Sequence, residues 1–384
     1  MTGPSPSTPG VHREDRTVAA VAGPVTGVPV FLGYAVQGPI GTPQPVDLWD
    51  QFVSVYGAGR PGFLGAAVRG FFGAGGTRCH VLALAPDRAP EDALSDGLAV
   101  LTAYENADLI CVPDVVRDRE GGLPPAPEQV RTMQRAVLDH CVQTGDRFAI
   151  LDPLPGVGRD ALLAQAAGLS GRAEAGGALY HPWVRVAGGA LVPPCGHLAG
   201  VYAATDAQSG VHHAPANVVL AGVTDLAAQV TDAEQAVLNP AGVNCLRAFP
   251  GRGIRVWGAR TLSTDPLWRY VSVRRLWLSV ARRLDHTMRG LAFEPNAPPL
   301  WARIVRELTA VFHELFRQGA LAGRTAEQGF YVKCDAETNT FDVRARGMAV
   351  AEVGFAPCGL HEFVVVRIVS DGATIAFTAS AGDG

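Results

Sequence analysis

The chain has 384 residues, 48% hydrophobic and 18% charged, enough apolar sequence for one large α/β body or two smaller cores. A formal net charge of −4 and a pI near 6.2 argue against nucleic acid as the main partner, because phosphate binding draws on clustered positive charge. No apolar run approaches the roughly 20 residues that span a bilayer, and residues 1–10 lack the basic start and apolar stretch of a secretory signal, so synthesis and folding in the cytosol are expected.

Residues 1 to about 20, rich in Pro, Ser, Thr and charge, are too polar to bury themselves and read as an extended arm. Val28 to Ala35 has strand character and is followed by a loop punctuated by Gly38-Pro39 and Gly41. Asp47 to Tyr56 reads as a short helix with Asp47 as N-cap and Gly57 at its end, and a second helix spans about 63–72. The apolar strand Cys79 to Ala85 follows. Helix then strand recurs at 92–104 into Leu109 to Pro113, and at 128–143 into Arg147 to Asp152. Short, fully apolar strands alternating with helices predict a largely parallel sheet covered on both faces.

Gly- and Pro-rich sequence from 168 to 215 breaks this rhythm and predicts long loops around Leu179 to Val186. Past residue 240 the organisation changes, with a strand at Ile254 to Trp257 and a helix from about 273 to 289. After Pro299 comes the clearest amphipathic helix, with Leu300, Ile304, Leu308, Phe312 and Leu315 on one stripe and Arg303, Arg306, Glu307, His313 and Arg317 opposite. Strand-like segments follow at 330–334, 341–343, 349–355, 363–369 and 373–378.

Several segments imitate chemical motifs. Gly156-x-Gly158-x-x-Ala161 follows a strand and opens a helix, the setting for a pyrophosphate at a helix N-terminus, but Pro153 and Pro155 interrupt the tight turn a nucleotide fold needs. His313-Glu314 and His361-Glu362 lack the second histidine a zincin helix carries one turn later, and His212-His213 in an extended loop point to opposite sides. Asp108, Asp114 and Asp152 lie near strand ends, where α/β enzymes place carboxylates, yet no phosphate loop or G-x-S-x-G elbow accompanies them; caps and turns explain them better. Seven cysteines without C-x-x-C spacing read as buried small hydrophobes, not as disulfides or metal ligands. Lys333 is the only lysine; codon bias explains this as readily as selection of arginine for planar ion pairs.

A series of short segments in order carries a resemblance. Thr8-Pro-Gly-Val11, Gly38-Pro39, Trp49 to Phe52, Tyr56-Gly57 and Phe71-Phe72 before Gly75-Gly76 come first. Arg147 to Asp152, Val192 to Tyr202, Ala214 to Asn217 and Asn239 to Asn244 continue it. Phe249 to Thr261, Tyr270 to Leu276, Phe293-Glu-Pro-Asn296, Gly319 to Gly323, Val332 to Asp335, Ala356-Pro357 and His361 to Val364 complete it. Together they resemble the contractile tail sheath family over nearly the whole chain. The resemblance implies an α/β domain of subtilisin-like topology without protease function at 21–240, a mixed α+β sheath C-terminal domain at 241–360, and arms at 1–20 and 361–384.

For function it implies a structural subunit, not an enzyme, that needs no cofactor. Copies stack as hexameric rings around an inner tube and meet baseplate and terminator or cap proteins, with neither nucleic acid nor direct membrane insertion. Assembly would take place in the cytoplasm and the product would be a phage-tail-like particle. The other reading of the residues is a cytosolic α/β nucleotide-binding enzyme. Terminal arms in the family add strands to neighbouring sheets, which makes Val11 and Phe363, Val364, Val365, Val366, Arg367 and Ile368 candidates for pairing between subunits; an edge strand within the same subunit is the alternative. Arg303, Arg306, Glu307 and Arg317 are candidates for the tube-facing surface, with Arg274, Arg275, Arg282 and Arg283 as a second set.

Overall fold

The structure, a computed structural model, describes residues 26–59, 61–118, 122–171, 176–290, 294–358, 363–371 and 374–381. In chain order its first part holds β1 (Pro29–Gly33), β2 (Gln44–Val46), α1 (Trp49–Tyr56), α2 (Leu64–Gly73), β3 (Cys79–Ala83), α3 (Pro90–Leu101) and β4 (Leu109–Cys111). Then come α4 (Pro127–Thr144), β5 (Phe148–Leu151), α5 (Arg159–Leu169), β6 (Gly177–His181), β7 (Val184–Val186), β8 (Leu191–Val192), α6 (Cys195–Ser209), β9 (Val223–Leu226) and α7 (Asp232–Leu238). The remainder is β10 (Val243–Phe249), β11 (Gly253–Trp257), α8 (Val271–Arg289), α9 (Pro298–Arg317), α10 (Ala326–Gly329), β12 (Phe330–Lys333), α11 (Phe341–Ala345), β13 (Ala349–Phe355), β14 (Val364–Ser370) and β15 (Ile375–Ala381).

Eight strands form the main sheet in the order β11-β10-β6-β5-β4-β1-β3-β2. Six are mutually parallel, and antiparallel β11 and β2 close the two edges. Phe31 faces one core while Val30 and Leu32 face the other, so β1 is buried on both sides and its sequence shows an unbroken apolar run. Because β10 pairs with β6, the sheet runs through the boundary expected at residue 240. The change of organisation comes later, beyond the Asn244 clamp: its side chain accepts from Arg260 N–H at 2.7 Å and donates to the carbonyls of Arg260 and Leu179 at 2.7 and 3.2 Å. A side chain at Gly258 would lie 2.8 Å from Asn244 Oδ1, which explains the glycine in this segment.

The stretch expected as long loops around Leu179 to Val186 is instead two strands, β6 and β7, followed by the 15-residue α6. The glycines that suggested a loop serve close packing. A Cβ at Gly196 would stand 2.2 Å from the Ala67 carbonyl oxygen, and one at Gly200 would stand 2.5 Å from that of Phe71. Backbone therefore lies on backbone where α6 crosses α2, and the intrinsic helix cost of two glycines, about 1 kcal/mol each, is offset by that contact. Two smaller expectations also change. Asp47 does not cap α1, whose N-cap is Leu48; its carboxylate pairs with Arg78 at 2.6 Å. Residues 341–343, expected as a strand, begin α11, because the Thr340 hydroxyl accepts from Val343 N–H and caps a helix there.

β12 to β15 form a separate antiparallel sheet in chain order, packed against α8 and α9. Phe312 of α9 stacks on Phe330, and its ring lies 5.4 Å from that of Phe355. Trp277 of α8 meets Phe355 and Phe377 at 6.4 and 6.2 Å. These contacts join the second sheet to one core of the first.

A buried ion triad fixes α8 to the main sheet. Arg275 donates to both carboxylate oxygens of Asp206, at 2.8 and 2.6 Å, and to Asp108 at 3.0 Å, and its side chain is 2% exposed. Asp108 also accepts from the N–H groups of Gly27 and Val28 at 3.0 and 2.7 Å, and the Tyr202 ring lies under the guanidinium at 4.9 Å. One side chain thus ties the start of the described chain, β4, α6 and α8 together. Replacing Arg275 by Met leaves two buried carboxylates unpaired and should lower unfolding free energy by about 3–5 kcal/mol, measured by urea titration at pH 7. A loss below about 1 kcal/mol would show that the triad does not hold the junction.

Candidate assembly surfaces

Two features leave bonding capacity or charge on the surface. The first is the sheet β12-β13-β14-β15. β14 lies inside it, pairing with β13 from Phe355↔Val364 to Ala349↔Ser370 and with β15 from Val364↔Ala381 to Ser370↔Ile375. Val364, Val366 and Ile368 are fully buried, Phe363 and Val365 partly so, and Arg367 points to solvent. Of the two alternatives drawn from the sequence, an edge strand at home is corrected to an interior strand at home. β15 forms the sheet's outer edge, and its residues are at most half-buried. The buried face of β14, Val364, Val366 and Ile368, shares one core with Trp277 and Phe312. Val11 lies outside the described residues.

The second feature is the outer face of α9. Its buried stripe is Leu300, Trp301, Ile304, Leu308, Phe312 and Leu315, as the period predicts. Arg303, Arg306, His313 and Arg317 line the exposed side, and Glu307 is half-exposed beside them. Each arginine is engaged locally: Arg303 pairs with Glu294, Arg306 with Glu307 at 3.1 Å and Arg317 with Glu314 at 2.8 Å. At 71% and 70% exposure for Arg306 and Arg317, such pairs contribute little to stability and exchange readily for a partner's charges. The second set, Arg274, Arg275, Arg282 and Arg283, is corrected: Arg274 and Arg275 are buried, the first over the Trp268 ring at 4.9 Å and the second in the triad, so neither lies on an open surface of the subunit.

The residues that imitate catalytic groups are spent on architecture. Asp114 accepts from Tyr34 N–H at 2.7 Å and from Phe63 N–H, anchoring the entry to α2. Asp152 accepts from Cys195 N–H at 2.8 Å and starts α6. Around the Gly156 turn, Trp183 donates to the Pro153 carbonyl at 2.8 Å and Gln165 accepts from Leu154 N–H at 3.0 Å. His212 and His213, expected to point to opposite sides, lie together with tilted rings 4.4 Å apart, and no cluster of three metal-ligating side chains occurs among the described residues. The seven cysteines are free thiols, six buried and Cys358 exposed. No helix among the described residues is long and apolar enough to cross a membrane.

With this geometry in place, the relatives are informative. The chain aligns over 94% of its length, and over 98% of the other chain, with the helical sheath of the anti-feeding prophage in its contracted state, at 30% identity and a TM-score of 0.74. It belongs to the phage tail sheath family. Residues 92–262 match the phage tail sheath protein central domain. The sheath of an extracellular contractile injection system, PVC, in its contracted state is 26% identical, with a TM-score of 0.74 over 93% of this chain and 96% of that one. The tail sheath protein of Escherichia phage P2 is 32% identical over 134 residues, a third of either chain. The reading as a nucleotide-binding enzyme finds no support among these relatives.

Burial inside the body makes stability depend on pH in two opposing ways. Burial pushes Asp152 up to about 7 and pulls His140, His181 and His197 down to about 4. The Asp152 contribution is complete below the ordinary carboxylate value near 4 and is lost as pH rises through about 7. The histidine contributions are present above about 6.5 and are lost as pH falls through about 4. Burial also raises Asp108 and Asp114 and lowers His80 and His212; with five histidines against three carboxylates, the subunit should lose stability from pH 6.5 to 4.5. His197→Leu should flatten that slope and Asp152→Asn should steepen it, as read from urea midpoints. An unchanged slope in both variants would contradict these assignments.

Proposed function

We propose that this chain is the structural subunit of the contractile sheath around the inner tube of a phage-tail-like contractile injection system. Its copies polymerise as stacked hexameric rings in an extended state and contract to drive the tube through a target envelope. The observation that carries this reading is the 30% identity to the anti-feeding prophage sheath across 98% of that chain. Its partners are further copies of itself, the inner tube protein, and baseplate and terminator or cap proteins, with no nucleic acid and no membrane insertion. A match to the baseplate assembly of the anti-feeding prophage, also at 30% identity, supports the baseplate contact. The subunit is made and assembled in the cytoplasm as part of a phage-tail-like particle. It is not an enzyme, and contraction releases free energy stored at assembly.

Within this reading the eight-stranded sheet is the subtilisin-like domain, running past residue 240, and α8 to β13 form the sheath C-terminal domain. Residues 1–20, with Val11, and the segment from 361 are the arms. In the polymer, β14 leaves its home sheet and takes the equivalent place in a neighbour's sheet, where the same register satisfies the same backbone groups. Glu352 and Arg367 are cross-strand partners on the outer face of the sheet, so a disulfide between them reports which chain supplies the strand. In a Cys358→Ser background, oxidised sheaths of Glu352→Cys/Arg367→Cys should give covalent ladders of chains on a non-reducing gel. Links confined within single chains would contradict strand exchange.

The exposed row Arg303, Arg306 and Arg317, with Glu307, faces the tube. Exposed ion pairs suit a contact that must form at assembly and release at contraction better than a broad apolar seam does. Reversing Arg303 and Arg306 to Glu should reduce tube-templated assembly by about tenfold or more in co-expression, scored by electron microscopy. Assembly at the unmodified level would remove this assignment.

A further inference from the structure

The order of the main sheet places β11 at one edge and β2 at the other, seven strand spacings or roughly 34 Å away. The two ends differ in charge. At the β11 end, Arg252 lies in the β10–β11 turn, Arg255 on β11, Arg260 just beyond it, and Arg269 beside Tyr270, which bridges to Arg260. None of these four arginines takes part in an ion pair among the described residues, whereas Arg247, across from Arg255, is engaged by Asp232 at 2.6 Å. Two exposed apolar side chains sit among them: Val219, bridged to Arg255, and Tyr270, 46% and 40% exposed.

In the half of the sheet toward β2, α3 connects β3 to β4 across one face, with Gly97 against Leu32, Leu82 and Leu84, and presents acid. Asp87 precedes the helix, Glu91 and Asp92 occupy its first turn, and Asp96 follows one turn after Asp92 with Arg88 at 3.1 Å. Val100, one further turn along the same face, is 42% exposed. Each surface is a small apolar spot where one sign of charge predominates, Arg88 beside Asp96 being the exception on α3, and the two signs are opposite.

We propose that the arginine surface at the β11 edge docks onto the acidic face of α3 in a second copy of this chain. A contact between two different surfaces of one molecule is head-to-tail, so it leaves both outer surfaces free and propagates into a ring or a helix instead of closing as a two-fold dimer. Unpaired arginines give the contact orientation and a fast, salt-sensitive approach, while the apolar spots provide its dry centre. The inference rests on the sheath reading and adds which two faces of the subunit meet.

Charge reversal at either end, and at both together, tests it in the full chain co-expressed with its tube. Arg252→Glu/Arg269→Glu and Asp87→Arg/Asp92→Arg should each cut the assembled fraction about tenfold, and the combined variant should restore it, because the two surfaces are complementary again. The neutral pair Arg252→Gln/Arg269→Gln should weaken assembly less and reduce its dependence on salt between 50 and 500 mM, roughly one to two Debye-length halvings. It also serves if a reversal variant fails to fold by circular dichroism. Full assembly of either single-end variant, or no restoration in the combined variant, overturns the docking of these two faces while leaving the sheath reading intact. Absence of rings or cylinders from the unmodified chain with its tube would overturn the sheath reading itself.

Discussion

The architecture depends on one buried guanidinium. Arg275 is inserted from α8 between Asp206 of α6 and Asp108 at the start of β4, and Asp108 holds the backbone of Gly27 and Val28 as well. Two carboxylates around one cation, out of water, are held only while all the members stay in place, because a partner left alone would be a buried unpaired charge. The triad contributes geometric definition more than net stability. Since α9 and the β12–β15 sheet pack on α8, their position relative to the eight-stranded sheet is set at this point. Gly27 and Val28, near the start of the described chain, are tied to the same point.

A subunit that must transmit force benefits from such a junction. Contraction of a sheath changes how subunits meet, and the bodies themselves have to stay stiff while the contacts between them rearrange. Buried polar side chains in the body bind backbone groups: Asp114 and Asp152 hold helix entries, and Asn244 clamps the hairpin. Groups of these types in an α/β enzyme would line a substrate cleft; here the cavity beside the triad, lined in part by Asp108, Phe148 and Arg275, holds only about 10 Å³, about one water. What is left for partners, in the reading proposed above, is the β14–β15 segment, a row of arginines on α9, and the arginine surface at the β11 edge with the acidic face of α3.

Much of this was legible in the sequence because local patterns and tertiary packing agree. The apolar runs of β1, β3, β4 and β5 announce strands buried on both faces, and the stripe of α9 is the one that packs on Phe330 and Phe355. The misreadings fall where a residue has a tertiary purpose that its local propensity hides. Gly196 and Gly200 read as loop formers, yet they let α6 touch α2. The interior place of β14 depends on β15 and on aromatic rings distant in sequence, which no period reports. Arg275 did carry a usable signal, since it lies one turn from Val271 and Leu278 on the apolar stripe of α8, a position that a surface arginine would avoid.

The central claim, a stiff eight-stranded body whose partners change only at the β14–β15 segment, its edges and charged faces, is tested most directly by hydrogen exchange of backbone amides in the free subunit and in assembled sheaths. The account predicts equal protection in both states for β4, β5 and the middle of α8 around Arg275. It predicts a large gain on assembly along β15, in the proposed arm at residues 1–20 and in loops beside the arginine surfaces. New protection, or loss of protection, spread through β4, β5 and α8 to the same extent as at the edges would contradict it, because the body would then be remodelled and not carried intact from free subunit to sheath.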